Sequence, residues 1–424
     1  MFRIQKILGI IGLCVLILLL SGGLAWGRGI SNARALGMGG SYAAVARGID
    51  APYWNPANLG LSDSYRYSIG IFGAGAGVRN NSFTLADYNK YNGQFLADGD
   101  KEEILNSIPA EGLRLDAIGE ASALNFSVGN FALASKGYGV SSANMDRDPL
   151  ELMLYGNAVV DEISLENTNG EGYGIADIAA SYGHQLMQWE DGEFAAGASI
   201  HYLRGFIYQK IVESQGSIST TDTGFVGGAH MAIISSTGGS GYAVDLGVAV
   251  KFGHTWNFSA AWQNAYSRLI WDKETEMTIY NFNMEPVTAS DFADSTVSDS
   301  LITSGDTTIA ADPFSSDLPS KMRLGLTKQF RQFLFSFDWE QALETRPGTG
   351  VNPRIAAGLE YKPLNFLPLR AGFSTGGRQG SLYSFGLGFH FGPYHFDIAV
   401  ANSGSPFPTH TKGARLALGM GLFF

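Results

Sequence analysis

Cysteine is nearly absent, with Cys14 the only one in 424 residues. Charge is scarce as well, at 16% where soluble domains average about 25%. After residue 27 no apolar run approaches the ~20 residues of a membrane-spanning helix. Each shortage excludes something. A chain without disulfides is not a small stapled extracellular scaffold, and one without a helical span can reside in a membrane only as a closed barrel. The 27 Phe, 18 Tyr and 7 Trp exclude a disordered chain. With 39 acidic against 28 basic residues the net charge is −11, so nucleic acid is not an expected partner.

What the chain has is 55 Gly and 45% hydrophobic residues, a mixture that points to an all-β protein. Its N-terminus stands apart. The apolar run 7–20 follows Arg3 and Lys6 and precedes Ser21, Gly22 and Gly23, the pattern of a secretory signal peptide. Ala25-Trp26-Gly27 supplies small residues for cleavage, so residues 1–27 are read as the signal. Removing its two bases and no acids takes the net charge from −11 to −13 and leaves the exported chain without cysteine.

The C-terminal third alternates with period two, the rhythm of strands. In the last segment Ala414, Leu416, Leu418, Met420, Leu422 and Phe424 share one face, and Gly413, Arg415, Ala417, Gly419 and Gly421 share the other. Tyr383, Phe385, Leu387 and Phe389 alternate likewise with Ser384, Gly386, Gly388 and His390. A soluble sandwich would carry Thr, Lys and Glu on its solvent face; here the second face is Gly, Ala, Ser and isolated charges. A transmembrane antiparallel barrel predicts that inversion, with large residues toward lipid and small or charged ones toward an enclosed lumen. Connections alternate short and long, as in outer-membrane barrels. The reading gives about 14 strands: 66–77, 121–128, 131–141, 173–184, 194–204, 242–252, 257–268, 320–330, 333–343, 353–362, 367–375, 381–391, 394–402 and 413–424. Residues 65–424 thus form the barrel, with long external loops at 78–120, 142–172, 205–241 and 269–319. The stretches 225–234 and 274–283 are expected to extend strands above the membrane, and Asp100 to Leu105 to form a short helix.

Residues 28–64 do not read as strand. They are turn- and helix-like, and their glycines, Gly37, Gly39 and Gly40, suit close packing against a barrel wall, while Asn55-Pro56 fixes a turn. Such a segment can plug a lumen. The run from Asn32 to Leu61, with Gly37, Gly39, Gly40, Asp50, Ala51, Asn55, Pro56, Ala57 and Leu59 at the matching places, resembles the N-terminal plug of the outer-membrane long-chain fatty-acid transporter superfamily. The resemblance implies a 14-stranded barrel with an N-terminal hatch inside the lumen, used in relatives for uptake of hydrophobic molecules. Relatives also include barrels of the type IX secretion system and members of unassigned function.

Catalytic motifs do not survive inspection, and no enzyme is expected. Gly372 to Gly376 spells Gly-x-Ser-x-Gly, but another strand follows where the nucleophile elbow needs a helix, so Ser374 is expected to face the lumen. Gly73 to Gly77 lacks the Lys-Ser/Thr of a phosphate loop. The seven His occur without metal-ligand spacing, and neither metal nor cofactor is expected. The charges assigned to the lumen are Arg323, Asp338, Glu340, Arg354, Glu360, Arg370, Asp397 and Arg415. Most are expected to pair and tie down the hatch, the rest to line a polar path.

The functional expectation is therefore a barrel in the outer membrane of a diderm bacterium that gates passage of small hydrophobic molecules. An apolar pocket between hatch and wall would bind them, with Tyr42, Tyr53, Trp54 and Leu59 as candidate lining. The alternative is a non-transporting barrel whose external loops dock a partner or a secretion complex. Expected partners are outer-membrane lipid, the barrel-assembly machinery reading the terminal Phe424, and a hydrophobic small molecule; the chain is read as a monomer.

Overall fold

A computed structural model describes residues 30–155, 162–221, 224–253, 255–287 and 302–424. The expected signal peptide and its expected cleavage site lie outside them. Fourteen antiparallel strands form the barrel: β1 Tyr67–Asn80, β2 Leu113–Val128, β3 Phe131–Met145, β4 Asn169–Trp189, β5 Gly192–Thr221, β6 Gly238–Phe252, β7 Trp256–Lys273, β8 Lys321–Phe330, β9 Phe333–Ala342, β10 Arg354–Leu364, β11 Leu367–Gly376, β12 Leu382–Phe391, β13 Tyr394–Ser403 and β14 Gly413–Phe423. Each pairs with its neighbour in sequence, and β14 returns to β1 from Ser68↔Phe423 to Arg79↔Gly413. The sheet is closed, leaving no edge around the barrel. No helix among the described residues is long and apolar enough to cross a membrane.

The alternation read from the sequence sorts the two faces. Phe385 is 51% exposed and Leu416 47% on the outside, whereas Ser384, Ala399 and Ala417 are buried within. Exposed Trp189, Phe252, Phe330, Phe366, Phe391 and Tyr394 all adjoin the short turns. This is an aromatic girdle at one rim, and the apolar band above it suits hydrocarbon. The two- and three-residue connections between successive barrel strands lie at the rim where β1 begins and β14 ends; Arg66 N donates to the Phe424 carbonyl there (3.1 Å).

Where the structure differs, strands outrun their expected ends. β2 begins at Leu113 rather than 121, and β5 runs for 30 residues, roughly 100 Å at ~3.3 Å per residue, far more than a bilayer needs. The charged outer ends, such as Arg114 and Asp116, read as loop in the sequence because polarity there follows water and lumen instead of lipid. Four expected loops are therefore partly strand. Gly224–Ser236 and Glu276–Val287 form, with Ile302–Ala310, a sheet continuing from β5 above the barrel. The expected helix runs Asp98–Ser107, and two unanticipated ones are Leu85–Tyr91 and Arg147–Tyr155.

Candidate functional site in the barrel lumen

The hatch, residues 30–65, fills the lumen as a chain of short turns. Helix α1 (Ala33–Gly37) is capped by Asn32, whose Oδ1 accepts from Ala35 N at 2.9 Å. Gly39 and Gly40 follow with φ of 69° and 78°, a conformation that favours glycine. Two 3₁₀ turns, Gly48–Tyr53 and Pro56–Gly60, complete it. Asn55 begins the second: its Oδ1 accepts from Ala57 N (3.0 Å), while its Nδ2 donates to Val248 O (2.9 Å) and Ser259 Oγ (2.5 Å) on the wall.

The glycine-rich inner face is the hatch's seat. A Cβ on Gly372 would overlap the Gly39 amide, one on Gly358 would lie 2.7 Å from the Met38 carbonyl, and one on Gly325 2.9 Å from Ala43 Cβ. Gly183, Gly197 and Gly247 receive the Asn55-Pro56 turn in the same way. From the other side, a Cβ on Gly37 would come within 3.0 Å of Gly386 Cα, and one on Gly39 within 2.8 Å of Phe373 N. Small apolar residues finish the seat: Ala51 and Leu59 pack on Ala132, and Ala57 on Ala195 and Ala249.

Polar ties fix the position. Asp338 accepts from the amides of Tyr42 and Ala43 (both 2.9 Å) and from Ser41 Oγ (3.2 Å). Glu360 receives hatch Arg34 in a bidentate pair (2.8 and 2.9 Å) and wall Arg370 (2.7 Å), which continues to Asp397 (2.6 Å) and from there to His390 (3.1 Å). Arg323 pairs with Glu340 through Nε at 3.1 Å. Arg354 donates to the Gly39 carbonyl, and Arg415 to Gln379 Oε1 at 2.7 Å. Within the hatch the Tyr42 hydroxyl donates to Asp50 (2.8 Å). Burial raises the Asp50 carboxyl above its ordinary range, against the opposing pull of Tyr42 and Arg34.

Among the described residues, cavities flank the hatch on both sides. The inner, of about 100 Å³, lies toward the short-turn rim and is lined by Arg34, Arg47, Asp50, Lys136, His395 and Phe423 among others. The outer, of about 110 Å³, lies toward the long loops and is lined by Ile118, Tyr138, Val140 and Tyr173 together with Arg323, Arg354 and Arg415. Trp54 lines both. Its ring stands edge-on to Tyr42 (5.2 Å between centroids) and lies under the Arg323 guanidinium at 4.5 Å.

Of the expected ligand-binding residues, Tyr42, Tyr53 and Trp54 surround the inner cavity, and Leu59 is buried in the seat instead. That cavity is charged where an apolar one was expected, because the ion pairs that anchor the hatch share its walls. Tyr53 also spends its hydroxyl on the Ala134 and Asp177 carbonyls (3.2 and 3.1 Å). Ser374 faces inward and is buried. Phe424 ends the chain at the short-turn rim, its carbonyl bound to β1.

Sequence reasoning missed a buried cluster: His201 Nδ1 lies 2.8 Å from Asp177 and Nε2 3.2 Å from Asp245. These residues are far apart in sequence, and only strand register unites them. Lys136 lies 3.4 Å from Glu120 and 3.7 Å from the Tyr53 ring. Among the described residues no group is arranged to hold a metal ion.

No curated protein matches the chain in sequence. A model of a family of unknown function (DUF5723) matches residues 227–402. Among solved structures, the Pseudomonas putida toluene transporter TodX is similar with a TM-score of 0.53 at 12% identity, over 95% of this chain and 99% of that one. The CymD monoaromatic hydrocarbon channel is similar with a TM-score of 0.50 at 12% identity, over 94% and 99%. The chain shares the fold of these hydrocarbon-transporter barrels. At such identity the likeness is one of architecture, and it agrees with the resemblance carried by residues 32–61.

Proposed function

We propose that this chain is an outer-membrane barrel whose hatch gates passage of small, largely hydrophobic molecules. One observation carries the reading: Trp54 lines both cavities, one toward each rim, so a modest displacement of the turn bearing it would join them. The apolar wall formed by Ile118, Tyr138, Val140 and Tyr173 gives a hydrophobic solute a surface on the outer side. Likeness to a toluene transporter and a monoaromatic hydrocarbon channel supports the same class of cargo.

The test exploits the absence of cysteine after residue 14. Cysteines at Ser31 on the hatch and Gly73 on β1, whose Cβ positions lie 3.5 Å apart, would clamp hatch to wall as a disulfide. Uptake of radiolabelled toluene by cells expressing the clamped barrel should fall to the level of empty cells and return on reduction. Equal uptake in the oxidised and reduced states would defeat the reading.

A second reading, a docking platform for a partner or secretion complex, is favoured by the sheet above the barrel. Its strand Ile302–Ala310 pairs only with Glu276–Val287 among the described residues. Deleting the hairpin 276–310 separates the two readings: toluene uptake persists if the chain transports, and partner recovery is lost if it docks.

A further inference from the structure

We propose that the outer vestibule holds a binding site for a phosphate group, free or carried on a small ester. The inference stands apart from whether hydrocarbons cross the hatch. Seven cationic side chains, Arg79, Arg114, Lys321, Arg323, Arg354, Arg378 and Arg415, gather in the outer half of the lumen around Asp116 and Glu340, with Asp338 near Arg323 and Arg354 and Glu171 near Arg378 as further carboxylates, so cations outnumber acids seven to four. Glu340 is occupied by Arg323 and Lys321. Asp116 is shared among Arg79 (2.7 Å), Arg114 (3.4 Å) and Arg378 (3.9 Å), and it also accepts from Ser142 Oγ (2.7 Å). Among the described residues, Arg354 and Arg415 line the cavity without a carboxylate within ion-pair distance; they donate to the Gly39 carbonyl and to Gln379 Oε1.

The guanidinium groups are under-neutralised: Arg114 Nε and Arg378 Nε are buried, make no hydrogen bond, and share one carboxylate, Asp116, at 3.4 and 3.9 Å. Burial, reinforced by Arg114 and Arg79, lowers Arg378 from its ordinary value against the pull of Asp116. Backbone ties hold the geometry in advance: Arg79 reaches the Arg378 and Gln379 carbonyls, and Gln379 Nε2 reaches the Gly348 carbonyl (3.2 Å).

A cluster of forks with this excess of charge is complementary to an oxyanion with several acceptor oxygens and more than one negative charge. A monocarboxylate would leave most of the repulsion unrelieved. Apolar residues of the same cavity, Ile118, Tyr138 and Val140, give a small organic group a surface beside the phosphate.

The experiment uses the full mature chain, folded in a neutral detergent at low salt, with inorganic phosphate, phenyl phosphate and benzoate titrated by calorimetry. Phenyl phosphate and inorganic phosphate are expected to bind saturably, benzoate at least tenfold more weakly, and added NaCl to weaken all three. Tighter binding of phenyl phosphate than of inorganic phosphate identifies a small ester as the source, and equal binding a free phosphate. Arg415→Gln and Arg378→Gln should each weaken phosphate binding at least tenfold, while Arg331→Gln in a short turn at the opposite rim leaves it unchanged. Retention of the folded gel mobility of each variant shows that the barrel is intact; Arg415→Lys is the substitute if Arg415→Gln does not fold, and should bind more weakly than the parent. Absence of saturation, benzoate binding as tight as phenyl phosphate, or indifference to both substitutions would overturn the proposal.

Discussion

Asp338→Ala tests whether the hatch is held by discrete polar ties. The carboxylate is buried on β9 and accepts the Tyr42 and Ala43 amides together with the Ser41 hydroxyl. Truncation strands two buried N–H groups, each costing about 1–3 kcal/mol. The local opening free energy of this turn should therefore drop by about 2–6 kcal/mol, and hydrogen-exchange protection at Tyr42 and Ala43 by roughly 30-fold to 25,000-fold. Asp338→Asn keeps an acceptor in place and loses mainly charge assistance, about 1 kcal/mol. Exchange read on the folded protein in detergent measures both variants, and protection across β10 to β13 serves as the internal reference. Unchanged protection at Tyr42 and Ala43 in the Ala variant, with the barrel intact, would refute the assignment of Asp338 as an anchor.

Trp54→Ala removes the side chain common to both cavities, so planar-bilayer recordings should show steady conductance where the parent is closed; a silent variant would count against Trp54 as the partition. Gly372→Ala places a methyl group on the Gly39 amide and should expose the hatch to protease, whereas Gly137→Ala, with open space around it, should not; equal digestion of the two would contradict the seating. Because burial raises the Asp50 pKa, the folded hatch binds more protons than the unfolded segment above the ordinary carboxylate value of 3.8. Hatch stability should thus decline as pH rises through that window, and Asp50→Asn should remove the decline, as followed by exchange at Ala51; a pH profile unaltered by the substitution would speak against the raised carboxyl.

The barrel was legible because lipid imposes one rule on every strand. Alternation such as Phe385-Gly386-Leu387-Gly388 needs no partner to be read, and the parity of short and long connections orders the strands. Above the membrane that rule lapses. The outer ends of β2 and β5 carry Arg114, Asp116, Lys210 and Glu213 among small residues, so their continuation as sheet left no periodic trace. The hatch motif was readable from its glycines and Asn55-Pro56, and the inward charges from their place on the small face. What each charge touches was not. Asp338 could equally have met a cation, but it meets backbone amides, a choice made by where the Ser41 turn passes. The His201 cluster and the vestibule arginines depend on register and on the turn at 377–381, and neither follows from spacing along the chain.

The abundance of glycine acquires a mechanical meaning once hatch and wall are considered together. Where two surfaces meet through backbone and small residues, as at Gly39 on Gly372 or Gly37 on Gly386, the contact is close-packed but few side chains interlock, so separation does not require rotamers to repack. Localised polar ties add to that contact and fix the hatch in place: Asp338 to the Ser41 turn, Glu360 to Arg34, and Asn55 to Val248 and Ser259. Such an arrangement gives a segment that is firmly placed yet releasable in steps, because each tie can exchange its partner for water. An interdigitated aromatic plug would hold as well but would have to leave as a unit. The small inner face therefore serves closure and movement at once, and enlarging it at any seat should impair the closed state before it impairs the barrel.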